Sequence, residues 1–392
     1  MKLAIILAFR NLKGAGLRTW LNVIVLSFSF VIIIWMKGIM TGWDYQAKTD
    51  MKNWETGSGQ YWHEKYDPYD PFTLTESHSV LPDTLKDVVK KGEAEPVLIA
   101  QGTIYPQGRM QAVRIKGINP AQKIFRLPTL KLDTAVTDAI PAIIGGMMAK
   151  NLNASVGDRI MLQWRDANGT FDASEVLITG IFNVSVPAID HGQIYIPLEK
   201  LRSMLGLADE ATIITFMDQD AGRHDIPGWV YKPFEVLTAQ VDKMIKMKSS
   251  SQTVFYMILL LLAMLAIFDT QVLSIFRRQR EIGTYIAIGY TRSEVVGLFT
   301  VEGTMYSVFA ALLATAYGLP FLAWQAKTGW TMPVDTSQLG MAIAQTLYPV
   351  FTAGLVVSTV LLIMLTTAIV SYWPSRKIAK MNPTEALRGK IR

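Results

Sequence analysis

The chain is 392 residues long, half of them apolar, with 18% charged residues and a formal charge of +6. It contains no cysteine, which excludes a disulfide framework, thiolate chemistry and cysteine-linked lipidation of the chain itself. The apolar residues gather in blocks rather than spreading as in one soluble domain.

Residues 1–18 place Leu3, Ile6, Leu7 and Phe9 ahead of a basic cluster and of Gly14 and Gly16. This predicts a short amphipathic helix on the cytoplasmic leaflet, the alternative being a frayed basic terminus that only sets topology. Residues 19–42 form the first of four nearly uncharged stretches, with 253–276, 297–324 and 347–373. Each is long enough, at about 1.5 Å per residue, to cross about 30 Å of hydrocarbon. Backbone in lipid must pair internally, so all four are expected as helices. The exit at Gly38–Gly42 is a weak cleavage signal, and the first span is expected to be retained.

Residues 43–252 carry the turn signals and alternation of a folded aqueous domain. "TGSGQYWHEKYDPYDPF", with two Asp-Pro pairs, predicts an ordered loop. "MQAVRIKGINP", "VGDRIMLQW", "EVLITGIF" and "GQIYIPLEKL" alternate as strands, with "AIIGGMMAKNLNA" as a small helix, so the domain is α+β. From Leu237 the period changes: Leu237, Val241, Met244 and Lys248 share one helical face, and this helix is expected to run on into the span at 253–276. Residues 277–296 then interrupt the apolar pattern with a charged, helix-forming segment. A short loop, 325–346, separates the last two spans, and 374–392 form a basic tail.

Basic residues near the spans set the orientation. Lys2, Arg10, Lys13 and Arg18 precede the first span; Arg277, Arg278, Arg280 and Arg292 follow the second; Arg376, Lys377, Lys380, Arg388, Lys390 and Arg392 fill the tail. Residues 43–252 hold 22 basic and 26 acidic residues, a net −4. Both termini and the arginine segment are therefore expected in the cytoplasm, and the large domain outside.

No phosphate-binding glycine loop, HExxH, CxxC or serine elbow is present, and charges cluster at span ends, which points to docking and topology rather than catalysis. No catalytic residue, metal or cofactor is assigned to this chain, and no nucleic-acid partner. His63 beside Asp67 and Asp70 is a surface-loop pattern rather than a ligand set. Asp269, in the inner half of the second span, must find a partner or water; a hydrogen bond between helices, or an ion pair with Arg277, is the structural expectation, and a proton or ion site the functional one. Glu302 is read as an acid favoured by the N-terminus of the third helix. Gly297, Gly303 and Gly318, with Ala310, Ala311 and Ala314, offer a small-residue surface for close helix approach.

Four stretches taken together resemble the FtsX/MacB-like permease family of ABC transporters, which includes the lipoprotein-release permeases. They are "LAFRNLKGAGLRTWLNVIVLSFS", "IIGGMMAKNLNASVGDRIMLQW…EVLITGIFNVSVPAIDHGQIYIPLEKLRSMLG", "FDTQVLSIFRRQREIGTYIAIGYTRSEV" and "MNPTEALRGK". The resemblance spans nearly the whole chain and is closest to the lipoprotein-release branch, through "TGSGQYW" and "YIPLEKLRSMLG". It implies an α-helical inner-membrane protein with four transmembrane helices and a large α+β periplasmic domain, porter-like, with a β-rich subdomain inserted at about 140–207. It also implies a non-catalytic permease subunit: a second permease chain, the same or homologous, and two copies of a cytoplasmic ATPase that binds ATP and Mg. The charged segment would be the coupling helix, with Arg277, Arg278, Arg280, Glu281, Ile282, Gly283, Ile286 and Gly289 meeting the ATPase. Asp269 stands where the family's pattern has asparagine. Lipoprotein extraction from the inner membrane is the leading expectation. Trp35, Met36, Ile39, Met40, Phe255, Tyr256 and Leu259 would then line the path of an acylated client, or else face lipid or pack. The alternatives are an efflux or export permease with a periplasmic adaptor, and a regulator of an envelope enzyme.

Overall fold

The computed structural model describes residues 17–133, 138–184, 190, 192–218, 225–333 and 346–380. The surface helix expected at the N-terminus, His191, His224, most of the loop 325–346 and the tail motif from 381 onward lie outside the described residues. In chain order the elements begin with helix α1 (Leu17–Met51), strands β1 (Gly59–His63) and β2 (Ser79–Val80), helix α2 (Asp83–Lys90), and strands β3 (Ala94–Ile104), β4 (Gln111–Ile118) and β5 (Ile140–Gly145). Next come helix α3 (Gly146–Leu152), strands β6 (Arg159–Arg165), β7 (Phe171–Phe182) and β8 (Gln193–Pro197), helix α4 (Leu198–Leu205), and strands β9 (Glu210–Ala211), β10 (Ile213–Phe216) and β11 (Trp229–Pro233). Helices α5 (Phe234–Leu237), α6 (Ala239–Arg277), α7 (Gln279–Ala287), α8 (Arg292–Thr328) and α9 (Ala353–Ser375) follow, then a 3₁₀ turn at Arg376–Lys380.

The chain divides into two compact units. One draws on Met1–Gly42, Ile245–Trp330 and Leu347–Arg392, the other on Trp43–Met244 and Thr331–Thr346. Helices α1 and α6 contribute residues to both, and α6 is continuous from Ala239 to Arg277, as the change of period at Leu237 predicts.

In the second unit nine strands form one sheet in the order β11-β1-β10-β3-β4-β8-β5-β7-β6. Strand β3 is eleven residues long and serves twice. Ala94–Val97 pair with β10, whereas Leu98–Ile104 pair with β4 and the last three also with β6. The β3–β6 pairing joins the two ends of the run β3-β4-β8-β5-β7-β6, so these six strands close on themselves. Closure removes two sheet edges. Its core is aliphatic: Leu98, Ile104, Ile115, Ala142, Ile144, Leu162, Ile178 and Ile196 are buried, capped by Leu198 and Leu201 of α4. Each large side chain among them contributes about 1.5–3 kcal/mol when removed from water.

Three local expectations are corrected here. The range 140–207 is not a separate sheet, because its strands close only with β3 and β4 from outside it. Residues 142–145, expected as helix, are the end of β5, because Ile143 and Ile144 pair with β8 and are fully inside the core. Gly59–His63, expected within a loop, is a strand flanked by β10 and β11. Tyr61 is buried there between Phe216 and Tyr231, so long-range pairing overrides the weak local signal.

Among the described residues four helices are long and apolar enough to cross a membrane, α1, α6, α8 and α9, and the first unit holds most of each. Leu26, Phe30 and Ile33 of α1 pack against Ala263 and Ile267 of α6, Tyr306 and Ala310 of α8 and Ile363 of α9. Lipid is as apolar as leucine, so close packing and buried hydrogen bonds hold such helices together. The small-residue surface read from the sequence is used here. A Cβ on Gly303 would stand 2.5 Å from Ser371 Cβ and 2.7 Å from Gln271 Nε2, and one on Gly318 would stand 2.7 Å from Val31. Asn22 of α1 donates to Thr270 of α6.

Candidate functional site

The charged segment resolves into a stop, a nine-residue helix and a restart. Helix α6 ends at Arg277, and Arg278 leaves helical geometry with φ −103° and ψ 22° before α7 begins. Gly289 ends the turn after α7 with φ +107°, a left-handed conformation that glycine adopts without Cβ strain. Thr291 then caps α8: its hydroxyl accepts from the Glu294 amide at 3.3 Å, and the Glu294 carboxylate accepts from the Thr291 amide at 2.8 Å. This reciprocal box fixes where the third long helix starts. The segment 277–296 is thus not one helix, because a glycine stop and a threonine cap divide it.

Helix α7 has an inner and an outer face. Ile282 is fully buried among Ile275, Val295, Val296, Phe299 and Ile378, with Tyr285, Ile286 and Tyr290 partly buried against them. Gly283 is buried too. Residues from α6, α8 and the turn after α9 therefore converge on one side chain of α7. Arg277, Arg280, Glu281, Thr284, Ala287, Ile288 and Gly289 are exposed, Ile288 to 72%. Of the eight expected coupling residues, Arg277, Arg280, Glu281 and Gly289 face outward, Ile286 is half-buried, and Ile282, Gly283 and Arg278 are engaged within the chain.

Arg278 is the most heavily bonded of them. Its Nη1 donates to both carboxylate oxygens of Glu302, at 2.9 and 2.8 Å, and its Nε donates to Glu281 at 2.6 Å. The guanidinium lies 4.9 Å from the centre of the Phe299 ring. Glu302 is buried, well beyond the first turn of α8. The expectation that the helix N-terminus favours this acid is corrected: the dipole's influence is spent within the first turn, and the arginine is what neutralises it. A separation of 24 residues hid the pair from any local reading. Asp269 lies on an exposed stretch of α6 beside buried Thr270.

The residues expected along a client path divide by environment. Trp35 packs on Phe321 and Trp330 with ring centres 6.2 and 6.1 Å apart, and its Nε1 lies 3.4 Å from Gln325 Oε1. Ile39 is buried, while Met36, Met40 and Leu259 are half-buried. Tyr256 packs against the bundle core and donates to Gln252 at 2.9 Å; Phe255 is exposed. Lys37, one residue after Met36, donates to Thr359 of α9 at 3.3 Å.

In the second unit His63 is buried edge-on against Trp229, and burial holds its imidazole below the ordinary value. Asp67 and Asp70 accept from the amides of Tyr69 and Phe72 and so shape their own turns. Among the described residues no group of three His, Asp or Glu is placed to hold a metal. A groove of about 270 Å³ is lined by Pro71, Leu74, Gln101, Val113, Arg114 and Gln193. Glu95 of β3 is pushed up to about 7 by burial, against the opposing effects of an amide bond from Asn119 and the charge of Arg202.

Residues 253–383 match the family model for the FtsX-like permease C-terminal domain. A MacB macrolide export ATP-binding/permease protein of Sodalis glossinidius is 26% identical over 46% of this chain and 25% of its own length. An uncharacterized ABC transporter permease of Methanocaldococcus jannaschii is 27% identical over 40% and 38%. The lipoprotein-releasing system transmembrane protein LolC of Neisseria meningitidis is 21% identical over 75% of this chain and 77% of its own. The chain thus spans between a quarter and about three quarters of these relatives. Residues 253–383 thus carry an FtsX-like permease C-terminal domain, and the chain as a whole is similar to MacB- and LolC-type ABC permeases.

Proposed function

We propose that this chain is the membrane subunit of an ABC transporter, driven by a separate cytoplasmic ATPase that docks on the exposed face of α7. The observation that carries the reading is the two-faced helix itself. Ile282 anchors it among residues of three membrane-length segments, while Arg280, Thr284, Ala287 and Ile288 are left for a partner. A nine-residue helix has little stability alone; pinned in this way it presents a fixed surface. Two ATPase copies and a second permease, of this chain or a homologue, complete the assembly. Both termini lie in the cytoplasm and the mixed αβ unit lies outside the inner membrane, as the basic residues direct.

The work done is extraction of lipoproteins for transfer toward the outer membrane through a soluble carrier. Support comes from the likeness to a lipoprotein-releasing protein over three quarters of the chain. Likeness to macrolide exporters over 181 residues favours a second reading, export with a periplasmic adaptor. Regulation of an envelope enzyme, FtsX-like, is the third. Co-purification from the native membrane with a hydrolysis-dead ATPase separates them. Retained lipoproteins are expected; an adaptor in their place would establish the second reading, a hydrolase the third. Isolation of the intact chain without any ATPase would overturn all three.

The docking face has its own test. Arg280→Glu with Ile288→Asp is expected to release the ATPase from a normally inserted chain, read as the ATPase-to-permease ratio after purification. An unchanged ratio would remove α7 as the docking element.

A further inference from the structure

We infer that Arg278 is a positioning residue, a strut that binds α7 to α8 so that a load on the docking face moves the third membrane helix with it. The inference rests on the docking reading above for its purpose, though not for its geometry.

Helix α7 meets its seat through Ile282, Tyr285 and Ile286. Apolar contacts are non-directional and by themselves leave a short helix free to roll or slide. A guanidinium fork is directional, because its donors are fixed in one plane. Arg278 stands where the chain bends between α6 and α7, and from there it grips both sides of the joint. One bond reaches Glu281 on the first turn of α7, and two reach Glu302 on α8. Phe299, fully buried, forms a floor under the guanidinium. Glu302 is therefore the fixed end of the strut rather than an ion-pathway acid. Immediately beyond it, Gly303 lets α8 touch Ser371 of α9 and Gln271 of α6, so displacement at Glu302 is passed to three helices at close packing.

The test uses the absence of native cysteine. Spin labels at Thr284→Cys, on the exposed face of α7, and at Gly297→Cys, where a Cβ meets nothing within 4 Å, report the α7–α8 distance in the full chain in nanodiscs. A single narrow distribution is expected for the parent. With Glu302→Gln or Arg278→Lys, the second keeping charge but losing the fork, the distribution is expected to broaden about twofold or more. Should Glu302→Gln fail to fold, Arg278→Lys alone carries the comparison. A narrow distribution in Arg278→Lys would overturn the strut. If the parent binds no ATPase, the proposed function fails, whereas the measurement on the chain alone still decides the strut.

Discussion

Single residues here act through what lies opposite them rather than through their own chemistry. Glu95 keeps its proton in the fold up to about pH 7 because burial disfavours the carboxylate. An unfolded chain releases that proton near the ordinary glutamate value of about 4.3. Between those values the folded state binds more protons than the unfolded one, so stability falls as pH rises through that window and levels off above it. The loss is at most about 4 kcal/mol, because each tenfold difference in proton affinity between the two states is worth about 1.4 kcal/mol. Glu95→Gln is expected to flatten this slope, read as the thermal midpoint of the intact chain at pH 5 and pH 8; an unaltered slope would mean that another group carries it. Gly303 is a steric case. Ser371 Cβ stands 2.5 Å from where a Cβ on Gly303 would lie, too near its own backbone to swing away. Gly303→Val should force α8 and α9 apart at a cost of about 1–3 kcal/mol or more, seen as a lowered midpoint or loss of monodisperse protein in detergent.

At the scale of elements, helix ends decide the architecture of the charged segment. The sequence "GYTRSE" supplies a glycine stop and a threonine-glutamate box within six residues, and both operate in the fold. Thr291→Ala is expected to weaken the start of α8 by about 1 kcal/mol, measured as faster hydrogen exchange at the Glu294 amide with the rest of α8 unchanged. Uniform exchange along the helix would show that the cap is not what holds this turn. The strands teach the converse. Alternation announced β4, β6, β7 and β8, whereas β1 and the buried run of β5 carry no such signature. Tyr61 and Ile143 belong to strands because of partners far along the chain, β10 and β8.

For the molecule as a whole, closure of the six strands rests on a short contact, Gly102–Ile104 of β3 with Leu162–Trp164 of β6. A Cβ on Gly102 would stand 3.0 Å from the Gln163 carbonyl and 2.7 Å from Ile115. Gly102→Val is therefore expected to open this seam, with exchange of the β6 amides rising well before those of β4 and β8; protection retained along β6 would show that the seam tolerates the added bulk. The four membrane-length helices and the place of the charged segment were legible in the sequence, because hydropathy over about twenty residues and the clustering of charge beside it are local properties. Arg278, Arg280 and Glu281 were also legible as residues that matter, but not which way each faces. That Arg278 turns to Glu302, that Ile282 is enclosed while Ile288 is bare, and that β3 serves two sets of partners were decided only by the tertiary structure. Charge and apolarity along a chain determine which residues must leave water or lipid. Which partner receives them depends on segments that only folding brings together.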